Sequence, residues 1–232
     1  MSNLELIVAT FTAAGGTQIA VFGLTTVGFA AAARLLRGVT TAGAAVGGVV
    51  CFVLMVAAGW GGFAVLGTVF LMTWIATRVG YRQKQLLGSA ERRGGRNAGQ
   101  VLANLGVSAV AALLYIRLHD SRLLLAFAAA LSEVAADTLS SEIGTVLGGT
   151  PRLLTNWEAV PAGTDGAITW PGTLMALIAA LLVSLVGAIT NVFPNRELLT
   201  CCAAAMLAFT SSQPCWIAAR IAARSSLAAG VG

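Results

Sequence analysis

Residues 38–77 read GVTTAGAAVGGVVCFVLMVAAGWGGFAVLGTVFLMTWIAT and contain no charged side chain. A bilayer core of about 30 Å takes about 20 apolar residues per helix, so this run holds two crossings, 38–58 and 60–77, with Gly59 left between them. The same reading carried outward gives further spans at 4–33, 99–118, 123–148, 167–192 and 198–219. The first is long, and Gly15-Gly16 is where it is expected to tilt or break. Membrane strands would need short alternating segments of about ten residues; these are long unbroken apolar runs. The expected fold is an all-α, polytopic transmembrane bundle of about seven spans forming a single integral-membrane domain over residues 1–232.

Composition agrees. The chain is 57% hydrophobic and 10% charged, with a mean hydropathy of +0.85, which leaves too little polar surface for a soluble domain. With seven spans, Arg34, Arg37, Arg78, Arg82, Lys84, Arg92, Arg93, Arg96, Arg152, Arg220 and Arg224 fall on one side, and only Arg117, Arg122 and Arg196 on the other. The positive-inside rule then places the N-terminus outside and the motif segments near 78–104 and 150–173 at the cytoplasmic face. In a prokaryote this would be the cytoplasmic membrane. Trp60 would mark the outer interface, and Trp74, Trp157 and Trp170 the inner one.

No basic start or cleavage site resembles a secretory signal, so the first span is expected to remain. Cys51, Cys201, Cys202 and Cys215 show no paired ligand spacing and His119 stands alone, which gives a zinc site or disulfide framework little support. The net charge of +5 reflects topology and an anion site; no basic domain with interleaved aromatics suggests a nucleic-acid partner. Gly43 and Gly47 form a small-xxx-small pair suited to close helix packing.

Polar residues gather in three segments expected to share one face. In ERRGGRNAGQVLAN (91–104), Gly94-Gly95 precede Arg96 and Asn97 at the start of span four. Arg96, Gln100 and Asn104, spaced four apart, would stack on one helical face. Glycine and a helix N-terminus beside them suit a phosphate, with Arg92 as a further phosphate-binding candidate. The alternative is that Arg92, Arg93 and Arg96 set topology or meet lipid headgroups. In LSEVAADTLSSEIG (131–144), Glu133 and Asp137 share a face and Glu142 lies further along. A carboxylate at mid-membrane costs at least roughly 2.5–3.5 kcal/mol. Pairing with Arg96 or another cation, a proton relay, and binding of a divalent cation all remain open as ways to offset it. Ser132, Thr138, Ser140 and Ser141 add hydroxyls. Asp137 and Glu142 sit about 140° apart around a helix, so either the helix breaks near 138–141 or Glu142 serves another partner. In VPAGTDGAITWPGT (160–173), Thr164, Asp165 and Gly166 form a turn opening span six. A carboxylate there could hold Mg²⁺ that also bridges phosphates.

With these segments in hand, GGRNAGQVLAN (94–104), ADTLSSEIG (136–144) and VPAGTDGAITWPGT (160–173), in that order and spacing, resemble the integral-membrane family that includes plant phytyl-phosphate kinase and an uncharacterised animal transmembrane relative. The resemblance spans roughly residues 30–190. It implies a Mg²⁺-dependent kinase converting an isoprenyl monophosphate to the diphosphate at the expense of a nucleoside triphosphate, CTP foremost. It carries catalytic and phosphate-binding roles onto Arg96, Asn97, Gln100 and Asn104, onto Asp137, Ser141 and Glu142, and onto Thr164, Asp165 and Gly166. Mg²⁺ would fall to Asp137 and Asp165, with Glu142 and Glu133 as further candidates. The family's acidic segment in the last span has no counterpart, since residues 198–232 contain no Asp or Glu. Two other classes use the same groups: a transporter or lipid carrier relaying protons or cations through Glu133 and Asp137, and a cytidylyltransferase-type lipid enzyme releasing pyrophosphate.

Overall fold

In the computed structural model, which describes residues 15–86, 94–154, 156–161, 164 and 167–211, helix α1 covers Gly16–Leu35 and α2 covers Thr41–Arg78. Gly15 precedes α1 as its N-cap with φ 68, and residues 4–14 of the expected first span, with any tilt or break there, lie outside the described residues. The charge-free run folds back on itself at Gly59, whose φ of 59° and ψ of −144° interrupt α2. A straight helix would hold Leu54 and Gly62 about 12 Å apart, yet a Cβ on Gly62 would overlap the Leu54 carbonyl. Helix α1 touches both legs. Thr26 reaches Cys51 and Met55 of the first at 3.8 Å, while Phe22 meets Trp60, and Phe29 meets Phe63 and Phe70, of the second. Residues 41–58 and 60–78 are therefore two antiparallel crossings, each about 27 Å long.

Only glycine occupies the Gly59 conformation without strain. Gly59→Val should destabilise the bundle by about 1–3 kcal/mol, read as a lower melting temperature in detergent; because no atom lies within 4 Å of a Cβ there, the loss would be one of backbone strain alone. An unchanged melting temperature would contradict the hairpin.

The chain continues through α3 (Tyr81–Leu86), α4 (Ala98–Leu118), α5 (Arg122–Leu147), the two-residue strands β1 (Arg152–Leu153) and β2 (Ala167–Ile168), and α6 (Trp170–Ile189). A 3₁₀ turn at Asn195–Glu197 leads into α7, described over 198–211. Side-chain caps start the helices at the basic end: Thr40 accepts from the Gly43 amide at 3.1 Å and Thr169 from the Gly172 amide at 3.1 Å. With α2 supplying two crossings and α7 running back along α5 and α6, the chain is a polytopic bundle of about seven spans.

Helix α5 is the most enclosed span, packed against α2, α4 and α6. The core gathers Leu54, Met55, Val65, Phe127, Leu131 and Val183. The outward surface is apolar as well, with Leu24, Val27, Val107 and Ile189 exposed, as lipid-facing helices require. Among the described residues, Arg34, Arg37, Arg78, Arg82, Lys84, Arg96 and Arg152 lie at one end of the bundle, and Arg117, Arg122 and Arg196 at the other. Trp74, Trp157 and Trp170 belong to the basic end and Trp60 to the opposite one.

Candidate functional site

Arg96 is positioned by backbone before any helix begins. Gly95, at φ 78, approaches Gly38 so closely that a Cβ would collide with its carbonyl group. That approach lets the Arg96 amide donate to the Gly38 carbonyl at 3.0 Å while its carbonyl accepts from Thr40 at 2.9 Å. The side chain then crosses to α5, donating to Thr138 Oγ1 at 3.2 Å.

The stack of Arg96, Gln100 and Asn104 on one helical face does not form. Helix α4 starts at Ala98, with Asn97 as an extended N-cap, so Arg96 lies outside it. Asn97 Oδ1 accepts from the Gln100 amide and Gln100 Oε1 from the Asn97 amide, both at 2.9 Å. This reciprocal capping box occupies both side-chain oxygens and leaves the residues exposed. Asn97→Ala should cost about 1 kcal/mol and Asn97→Ser much less, which thermal unfolding of the two variants would check. Asn104, half-buried a turn and more further on, lines a cavity together with Arg96.

That cavity has a volume of about 430 Å³ and lies among α1, both legs of α2, α4 and α5. Its inner wall is apolar, formed by Phe29, Leu66, Val69, Phe70, Leu105 and Val134, and its basic end carries Arg37, Arg78, Arg96 and Tyr81. Arg78 donates to the carbonyls of Trp74, at 3.3 Å, and Leu36, at 2.5 Å, and its guanidinium lies 3.9 Å from the centre of the Trp74 ring. A slot this apolar, ending in cations, suits an amphiphile with an anionic head. The sequence reading treated Arg37 and Arg78 as topogenic and did not identify them as cavity residues.

The acidic span is one unbroken helix, so the alternative of a break near residues 138–141 is excluded. Glu142 instead turns to another partner: its carboxylate lies 2.5 Å from Lys84 Nζ. Lys84, 2% exposed, also donates to the carbonyls of Ala76 at 2.9 Å and Thr77 at 3.3 Å, closing the C-terminal turn of α2. Glu142, expected as a catalytic and metal-side group, thus holds α5 to the α2–α3 corner. Glu133 is half-buried and Asp137 exposed one turn away on the same face, followed by exposed Ser141, whose hydroxyl donates to the Asp137 carbonyl at 2.6 Å.

Among the described residues no three His, Cys, Asp or Glu side chains gather as a metal cage. Mg²⁺ does not need one, because it usually keeps its waters and takes one or two carboxylates together with substrate phosphates. The Glu133–Asp137 pair offers that donor set, whereas the Glu142 carboxylate is engaged by Lys84.

The loop between α5 and α6 folds back over this end. β1 pairs antiparallel with β2, Arg152 opposite Ile168. The Thr164 hydroxyl donates to the Pro161 carbonyl at 2.8 Å, and the Thr164 backbone carbonyl accepts from the Ala167 amide at 3.2 Å. Thr169 and Gly172 pack against Gly144 of α5, so the loop returns beside the acidic helix. Asp165, Gly166 and Arg92 lie outside the described residues.

Comparison with known proteins places the chain among membrane proteins. The family model described as "Integral membrane protein DUF92" matches residues 24–221. The chain is 31% identical over 184 residues to "Protein VTE6, chloroplastic" of Arabidopsis thaliana, covering 75% of this chain and 54% of that protein. It is 30% identical to an uncharacterised membrane protein of Synechocystis, covering 58% of this chain and 54% of the relative. A third, from Methanocaldococcus jannaschii, is 33% identical, covering 59% and 56%. The chain thus spans about half the length of the curated relatives it matches. No solved structure matches it.

Proposed function

Because the chain belongs to the DUF92 family of integral membrane proteins, we propose that it is a membrane kinase that phosphorylates an isoprenyl monophosphate to the diphosphate, using a nucleoside triphosphate, CTP foremost, at the cytoplasmic end of the bundle. The observation that carries this reading is the apolar cavity of about 430 Å³ ending in Arg37, Arg78 and Arg96, with Arg96 bonded across to the helix that bears Asp137. The likeness of the three motif segments to the phytyl-phosphate kinase family supports it.

The prenyl tail lies among Phe29, Leu66, Phe70 and Leu105, where burial contributes about 0.8 kcal/mol per CH₂. Its phosphate rests at the basic end, within the reach of the arginines. An ionised phosphate oxygen attacks the γ-phosphorus of the nucleotide, a new P–O bond forms, and the bond to the β–γ bridging oxygen breaks to release the nucleoside diphosphate. The attacking oxygen is already deprotonated near neutral pH, so no general base is needed. Positioning and electrostatics supply the catalysis, with Arg96 shared between cavity and acidic helix. Mg²⁺, when bound, would neutralise charge on the transferring phosphates; Asp137, with Glu133 and Asp165, would hold it.

The test uses purified protein in detergent with a prenyl monophosphate, Mg²⁺ and each γ-labelled nucleoside triphosphate in turn. The expected result is label in a prenyl diphosphate. Lipid or ion movement without nucleotide consumption, from folded protein, would replace the kinase with the transporter reading.

A further inference from the structure

The three arginines at the basic end of the cavity are held differently. Arg78 is fixed by Leu36 and Trp74, and Arg96 by Thr138 and by its backbone bonds to Gly38 and Thr40. Arg37 is exposed, and among the described residues its side chain makes no hydrogen bond or ion pair. Its backbone is unusual too, with φ 56, in the left-handed region where an L side chain is strained.

The reason for that conformation is the way α1 ends. The Gly38 amide donates to the Ala33 carbonyl and the Arg37 amide to the Arg34 carbonyl, both at 3.0 Å, which is a Schellman motif with Arg37 at the position glycine usually fills. Glycine would close this helix end with less strain. Nothing in the backbone calls for arginine, so the side chain is what the position keeps, and it faces the cavity.

We propose that Arg37 is the specificity-determining cation for the head of a lipid monophosphate whose tail fills the cavity. This rests on reading the cavity as the lipid site. It does not depend on phosphoryl transfer. Arg78 and Arg96, held by protein contacts, shape the basic end, and Arg37 swings onto the phosphate as a charge-assisted donor. A residue that served only topology or the partial negative charge of the α1 C-terminus would be indifferent to the lipid head.

Equilibrium binding of labelled farnesyl monophosphate and of farnesol to the purified protein in detergent, without nucleotide, separates these roles. Arg37→Gly is expected to weaken monophosphate binding roughly ten- to a hundredfold, to leave farnesol within about twofold, and to leave the melting temperature equal or higher. Arg37→Lys is expected to restore most of the affinity. Unchanged monophosphate binding in Arg37→Gly, or an equal loss for both lipids, would overturn the assignment. So would inorganic phosphate competing as well as the lipid phosphate, which would point to a free anion. Should Arg37→Gly fail to fold, Arg37→Asn, which tolerates the same backbone, is read by the same criteria. Head-dependent binding without label transfer from any nucleotide would retire the kinase and leave Arg37 in its role.

Discussion

Asp137→Asn is expected to reduce phosphoryl transfer by at least about a hundredfold, the scale seen when one preorganised electrostatic group is removed from a transition state, while membrane insertion and melting temperature stay near those of the parent. Asn keeps the shape of the side chain and one acceptor oxygen and removes only the charge. The position is exposed on α5, so no core packing is disturbed. Glu133→Gln, on the same face but half-buried, should have the smaller effect, because it stands one turn further from the basic end. Initial rates at saturating nucleotide and lipid check both. Activity within threefold of the parent in Asp137→Asn would remove that carboxylate from the mechanism.

The second large effect is on stability. Glu142→Gln should cost about 3–5 kcal/mol, since it leaves the buried Lys84 without its counter-charge, and Lys84→Met should cost at least as much although the Glu142 it strands is only partly buried. The double variant should lose clearly less than the two single losses added, because neither charge then remains unmatched. Lys84→Met should be the worse of the two, as it also strips the Ala76 and Thr77 carbonyls of their donor. Thermal unfolding of the four proteins in one detergent closes the cycle. Strict additivity would mean that the contact between Lys84 and Glu142 contributes nothing to holding α5 against the α2–α3 corner.

The bundle was legible because the signal is repeated and coarse. A run of twice the membrane thickness without a charge must turn, and Gly59 stood at the turn. The basic residues marked one end, since each crossing reverses direction and the charges recur at alternate breaks. The site was legible only in part. Arg96, Asn104 and Asp137 do reach one end of the bundle, but their neighbours took other work. The pairing of Lys84 with Glu142 joins residues from different helices and leaves no local pattern, although the helical angle between Asp137 and Glu142 already required either a break in the helix or another partner for Glu142. The capping box was readable: Asn97 followed three residues later by Gln100, before an apolar run, is a helix-start pattern, and weighing it would have placed Arg96 outside α4. The cavity had no trace in the sequence, because five helical segments enclose it and no one of them shows a groove. Arg37 was read as a topology signal for the same reason. Its strained backbone exists only in the folded chain.

The most direct test of the account is ³¹P NMR of the purified protein turning over farnesyl monophosphate with CTP and Mg²⁺. The account predicts that the farnesyl monophosphate resonance is replaced by the paired resonances of farnesyl diphosphate, with CDP appearing in equal amount and neither product forming in Asp137→Asn. Pyrophosphate with a cytidylylated lipid, or an unchanged nucleotide spectrum from folded, lipid-bound protein, would contradict it.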